Sequence, residues 1–170
     1  MNVDADNPIS EARRQWIAHE WADAAPGMAA VTTIVRVNQI LIAHIDLTLR
    51  PHDLTFARFE VLRLLGFTRA GGLPMRKLTD RLQVHPASVT NAVDRLEADG
   101  LVARSPNPRD GRSTIASILP AGRRRLASAT RDLNEFFSAI GKSGDLDRLT
   151  RSLNVLGQKC ESIATSAELL

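Results

Sequence analysis

The sequence predicts a mainly α-helical protein with a small two- or three-stranded β-wing, in which a winged helix-turn-helix sits between terminal helices. Three observations predict it. Residues 75–125, MRKLTDRLQVHPASVTNAVDRLEADGLVARSPNPRDGRSTIASILPAGRRR, spell two short helices, a tight turn and a charged hairpin in unbroken succession. Positive charge is concentrated there, with residues 69–125 at net +6 against −2 for residues 1–68 and −1 for residues 126–170. On both sides of this stretch, apolar residues recur at helical steps of three and four.

Taken in order, Ser10 is expected to cap a first helix running to about residue 24, carrying Trp16 and Trp21 and ended by Pro26-Gly27. A second helix, residues 29–49, bears Val31, Ile34, Val35, Leu41, Ile42, Ile45 and Leu49. That stripe is too broad for a simple surface helix and predicts burial on more than one side. Arg50-Pro51-His52-Asp53 breaks the chain, and Thr55 caps a third helix over residues 56–67. Ala70-Gly71-Gly72 leads into the motif.

Met75, Leu78 and Leu82 line one face of the first motif helix, and Gln83, Val84 and His85 form the turn. Pro86 suits the first turn of the second motif helix, and Gly100 suits the position just past its end. Val89, Ala92, Val93 and Leu96 make its packing stripe. The opposite face, with Ala87, Asn91, Asp94 and Ala98 flanked by Ser88, Thr90 and Arg95, is small and polar. Such a face can enter a major groove, where hydroxyl, amide and guanidinium groups meet base edges and phosphates. An ordinary solvated face has the same composition, so the helix alone leaves both readings open.

The hairpin tips the balance toward DNA. Residues 101–104 and 113–118 are β-type runs joined by SPNPRDGR, a turn punctuated by Pro106, Pro108 and Gly111. Arg109 and Arg112 stand at its tip, where a guanidinium suits the negative potential of a minor groove. Asp110 between them would oppose phosphate if free, so it is expected to support the wing by holding an arginine through a charge-assisted hydrogen bond.

After the wing, residues 121–140 are expected to be helical, with Leu126, Ala129, Leu133, Phe136 and Ile140 in register. A break over residues 141–144 precedes a last helix with Leu146, Leu149, Leu153, Leu156, Cys160 and Ile163 at alternating steps of three and four, an a/d seam. The organisation expected is therefore N-terminal helices over 1–53, a DNA-binding module over 54–120 and C-terminal helices over 121–170. Terminal helices with narrow seams on either side of a basic module predict a homodimer, with Trp16, Trp21, Leu149, Leu153 and Leu156 in its interface.

LEADGLVARSPNPRDGRS, followed by LPAGRRRL, resembles the wing signature of MarR-type (multiple antibiotic resistance) transcriptional regulators. Leu96, Glu97, Asp99, Gly100, Leu101, Val102, Arg104, Asp110, Arg112, Gly122 and Arg123 fall where that pattern expects them, and LTFARFEVLRLL and KLTDRL resemble the family's preceding helices. Two positions depart from it: His85 stands where a Ser N-cap is usual, and Pro120 replaces a Thr.

The resemblance implies a ligand-responsive repressor that binds a pseudo-palindromic operator as a homodimer. Its DNA-binding residues would be Ser88, Thr90, Asn91, Arg95, Arg104, Arg109 and Arg112. It also implies a small lipophilic or aromatic effector, anionic or a coenzyme A thioester, lodged between the dimer helices and the winged domain. His44, Arg50, His52, Phe56, Phe59 and Arg63 are the candidate contacts, each equally readable as core or surface. The competing class is a winged-helix protein-interaction or chromosome-organising module.

Other chemistries find little support. No glycine-rich phosphate loop, nucleophile elbow, HExxH or CxxC pair occurs, so neither enzymatic activity nor a cofactor is expected. The four histidines, His19, His44, His52 and His85, lack metal-ligand spacing. Cys160 lies on an apolar seam, where it is expected to be a small packing residue rather than a redox sensor. An acidic N-terminus without an apolar h-region and the polar interruptions within residues 31–49 predict a cytoplasmic, nucleoid-associated protein with no membrane partner.

Overall fold

The computed structural model describes residues 7–142 and 144–167. Two compact units divide the chain, Met1–Ala129 and Thr130–Leu170.

Helix α1 spans Pro8–Ala18, and its cap is Asn7 rather than Ser10: Asn7 Oδ1 accepts from the Ile9 amide at 3.0 Å, with Pro8 in the first turn. Trp21 then folds back, its ring 5.3 Å from that of Trp16. Helix α2 spans Ala25–Leu49. Pro26-Gly27, expected to end the first helix, instead opens the second. Proline lacks only an amide that a first turn leaves unpaired anyway, so the same dipeptide serves as a start.

The broad stripe on α2 is largely exposed rather than buried on more than one side. Only Ala25, Ile45 and Leu49 are buried, while Val31, Ile34, Val35, Val37, Ile40 and Leu47 are exposed. By length and composition alone, residues 25–52 would suffice to cross a bilayer.

A 3-10 turn over Arg50–His52 leads to Asp53 in the left-handed region, φ 52°. Helix α3, Phe56–Gly66, is capped by Thr55 as the sequence predicts and buries Phe59, Val61, Leu62 and Leu65. A short strand β1, Gly72–Pro74, precedes α4, Met75–Leu82, and α5, Pro86–Ala98. Gln83 takes φ 53° between these two helices, and Leu78, Val89, Ala92, Val93 and Leu96 are buried beneath them.

The C-terminus of α5 closes in a Schellman arrangement. Gly100, at φ 68°, donates to Glu97 O at 2.9 Å, and Leu101 donates to Leu96 O at 2.8 Å, with both leucines buried. A side chain at Gly100 would have to adopt the left-handed conformation that L residues avoid.

The wing consists of β2, Val102–Asn107, and β3, Asp110–Ile118, longer than the runs read from sequence. With β1 they form an antiparallel sheet of order β1-β3-β2, pairing Leu73 with Ala116 and Val102 with Ile118. The register shifts at Pro106/Asn107, where the hairpin turns.

Helix α6, Pro120–Gly141, starts on a proline, a position where its ring is tolerated. Gly122 is required there because a Cβ would run into Leu101 O, which accepts from the Leu119 amide at 2.9 Å. Helix α7 spans Leu146–Ala167, its start capped by Asp145, whose carboxylate accepts from the Arg148 amide at 2.9 Å.

Candidate nucleic-acid interface

The interface is built on α5 and the β2–β3 hairpin. Because the apolar stripe of α5 is buried, its polar positions are left outside, and Ser88, Thr90, Asn91 and Arg95 are all exposed. Ser88, Asn91 and Arg95 line a cleft of about 620 Å³ whose opposite wall is Thr55 and Arg58 at the start of α3. Arg58 does not reach Arg95; its Nη1 pairs with Asp99 Oδ2 at 3.3 Å and ties α3 to the end of α5.

The tip of the wing is ordered by its own short polar side chains. Asn107 Oδ1 accepts from the Arg109 amide at 3.1 Å, and Asn107 Nδ2 donates to Ser113 Oγ at 2.8 Å. Asp110 Oδ1 accepts from the Arg112 amide at 3.1 Å. Asp110 thus holds the backbone of Arg112, where the sequence predicted a grip on a guanidinium. An acidic side chain followed by two residues of turn can close an Asx turn more readily than it can reach a neighbour's head group. The guanidinium groups of Arg109 and Arg112 are exposed and make no side-chain bond to a described residue.

Arg104 is placed differently from the other arginines assigned to DNA. Its Nη1 lies 2.6 Å from Asp94 Oδ1 and 2.9 Å from Glu97 Oε2, and its Nη2 lies 3.4 Å from Thr90 O. Glu97 Oε1 also accepts from the Arg104 amide at 2.9 Å. The side chain is 23% exposed and sits between the wing and α5, engaged by three residues of the helix. Sequence reasoning missed both carboxylates. The available signal was that Asp94 and Glu97, one turn apart on a helix expected to face phosphate, call for a cation.

The basic run 123–125 is likewise partly internal. Arg123 Nη1 donates to Gly66 O at 3.4 Å, and Arg125 Nη1 donates to His52 O at 2.9 Å beside Asp53. In exchange, α4 offers Arg76, Lys77 and Arg81, exposed and without side-chain partners among the described residues. They flank α5 on the helix that crosses the backbone in helix-turn-helix proteins, a position suited to phosphate.

The candidate effector residues are dispersed. His44 and Arg50 are exposed, Phe56 is half-buried, Phe59 lies in the core, and Arg63 pairs with Glu60 at 3.1 Å. His52 lines a cleft of about 380 Å³ with Asp53, Arg124 and Arg125. Of the candidate interface residues, Trp16 is half-buried and Trp21 is 53% exposed, while Leu149 and Leu153 on α7 are 51% and 42% exposed and Leu156 is half-buried.

Comparison with known proteins matches this arrangement. The profile of the MarR family covers residues 54–114. Sco5413, a MarR family transcriptional regulator from Streptomyces coelicolor, is 44% identical, with a TM-score of 0.68 over 82% of this chain and 96% of that one. The Mycobacterium tuberculosis transcriptional regulator MOSR, solved in complex with DNA, is 26% identical, with a TM-score of 0.69 over 79% of this chain and 97% of that one. The transcriptional regulator MhqR of Bacillus subtilis is 33% identical over 79 residues, 46% of this chain and 53% of that protein. The chain thus spans about half the length of the first curated relatives it matches. Taken with the geometry of α5 and the wing, these likenesses show that the chain belongs to the MarR family.

Proposed function

We propose that this protein is a sequence-specific, DNA-binding transcriptional regulator, a repressor that binds a pseudo-palindromic operator as a homodimer. The observation that carries this reading is the wing. Asn107 and Asp110 use their carbonyl and carboxylate oxygens on backbone amides, which leaves the Arg109 and Arg112 head groups free for a minor groove. On α5, Asn91 is assigned a base edge, with Ser88, Thr90 and Arg95 on base edges or phosphates. Arg104 is assigned to holding the wing against α5.

Dimerisation accounts for the apolar side chains that the single chain leaves bare. Ile17 and Trp21, Val31, Ile34 and Val35 on α2, and Leu149 and Leu153 on α7 are too apolar to face water on a monomer. The terminal segments 1–53 and 121–170 are assigned to that interface, and a second copy covers α2 in place of a membrane.

The effector is proposed to be a small anionic aromatic or lipophilic molecule, or its coenzyme A thioester, bound near His44, Arg50, His52, Phe56 and Arg63, with Phe59 behind them. A ligand that prefers the non-binding separation of the two readers by about 3 kcal/mol weakens operator binding about a hundredfold.

The test is selection of operators from random-sequence duplex DNA, followed by titration of intact and half-scrambled sites by wild type and Leu153→Asp. The expected result is a two-fold symmetric operator and loss of affinity on scrambling. Leu153→Asp places an unpaired carboxylate in the seam and is expected to lose both dimer and affinity. A protein that binds all duplexes alike, or shows no steep salt dependence, belongs to the competing class of chromosome-organising or protein-binding modules.

A further inference from the structure

The start of α5 has a hydrogen-bond arrangement fixed by the residue that precedes Pro86. His85 is the N-cap, and its Nδ1 accepts from the Ala87 amide at 3.2 Å. An atom that accepts from N–H carries no proton, so the ring is the neutral tautomer with its hydrogen on Nε2. Nε2 lies across the ring from the capping contact, His85 is exposed, and its side chain has no partner among the described residues other than Ala87.

The backbone at this end is closed to an incoming anion. Pro86 has no N–H, the Ala87 amide is taken by the imidazole, and those of Ser88 and Val89 donate to His85 O at 2.9 and 3.4 Å. Helix N-termini commonly bind phosphate through open amides. Here the outward donor at the tip of the helix is the imidazole Nε2–H instead.

We propose that His85 is a DNA-contacting residue, whose Nδ1 caps the recognition helix while its Nε2–H donates to a backbone phosphate beside the major groove. The inference rests on the DNA-binding reading above. One ring performs both tasks, and the cap dictates which nitrogen faces DNA. A phosphate is the partner assigned, because it accepts a single donor whatever the sequence, whereas the bidentate pairings that discriminate bases best need two groups.

Substitutions separate the two tasks. Asparagine keeps an acceptor where Nδ1 stands and caps well, but does not reach as far as Nε2; alanine removes both functions. Wild type, His85→Asn and His85→Ala are to be titrated at pH 8 against a selected operator and against variants of it with single base changes. His85→Asn is expected to melt like wild type yet bind about tenfold more weakly, uniformly across those sequences, because a phosphate contact carries no base preference. The dependence of log K on log salt is expected to keep its slope, since a neutral donor replaces no counterion.

If His85→Asn binds like wild type while His85→Ala alone is weaker and less stable, the residue is only a cap and the proposal is overturned. A slope reduced by about 0.9 per subunit would show a charged imidazolium on the phosphate, and overturns the assigned proton arrangement. Failure of wild type to enrich any operator would defeat the DNA-binding reading itself, and is distinguished from failure of this proposal by that result alone.

Discussion

Replacing Arg104 tests whether this arginine acts on DNA or on the protein. In the structure one guanidinium faces two carboxylates, Asp94 and Glu97, with side chains 54% and 39% exposed, so the cluster carries net −1. Each pair is substantially solvated, and its contribution to stability is on the order of 0.2–1 kcal/mol. Arg104→Ala is therefore expected to lower stability by about 0.4–2 kcal/mol for the two pairs together and to leave the fold intact.

The effect on DNA follows from charge. Without the guanidinium the cluster becomes net −2 on the helix assigned to the major groove. A unit charge about 7 Å from a phosphate is worth about 0.6 kcal/mol in water, so the step from net −1 to net −2 costs about 0.6 kcal/mol per subunit, or about 1.2 kcal/mol and roughly sevenfold in affinity for the proposed dimer. Arg104→Ala combined with Asp94→Asn and Glu97→Gln brings the cluster to net 0 and is expected to bind at least as tightly as wild type. Fluorescence anisotropy titrations at several salt concentrations, with melting curves for each variant, provide the assay. Binding by the triple variant that stays as weak as Arg104→Ala, with a salt slope reduced by about 0.9 per subunit, would mean that Arg104 touches phosphate and would refute the reasoning.

Two further outcomes follow from local geometry. Arg112→Ala keeps the backbone amide that Asp110 holds, so it is expected to weaken operator binding by about 1–3 kcal/mol in a gel-shift titration without lowering the melting temperature. Gln83 sits at φ 53° between α4 and α5, so Gln83→Gly is expected to be neutral or slightly stabilising in denaturant unfolding. Gln83→Val, forcing a β-branched residue into the left-handed region, is expected to cost about 1–3 kcal/mol.

What the sequence made legible were features decided within a few residues. Pro86 and Gly100 bound α5 because a missing amide and a positive φ are local demands, and PNPRDGR marks the wing because its turn is built from its own side chains. Pro26-Gly27 was ambiguous for the same reason: proline satisfies a helix start as well as a helix end, and what selects the start is the fold-back of Trp21 onto Trp16. The role of Arg104 was hidden because its partners sit 7 and 10 positions earlier on another element, and sequence spacing does not show that a strand will lie along a helix. The effector residues were the least legible, since side chains that line a cleft and side chains that fill a core share one composition.

The ion pairs around α5 also constrain how such a protein can be switched. Arg104 joins the helix to the wing through Asp94, Glu97 and Thr90, and Arg58 joins its far end to α3 through Asp99. Between these ties the buried stripe of Val89, Val93 and Leu96 is packed against α3 and α4. Displacing α5 alone would break both sets of pairs and open the core beneath it, where losing the packing of even one large aliphatic side chain costs about 2–5 kcal/mol. Moving the whole winged module breaks none of these contacts. In the proposed dimer, where a preference of about 3 kcal/mol weakens binding about a hundredfold, the route of lower cost is a change in the separation of two rigid readers rather than a distortion of either. In that proposed dimer, the α2 helices that carry the bare apolar face are the elements on which such a change would turn.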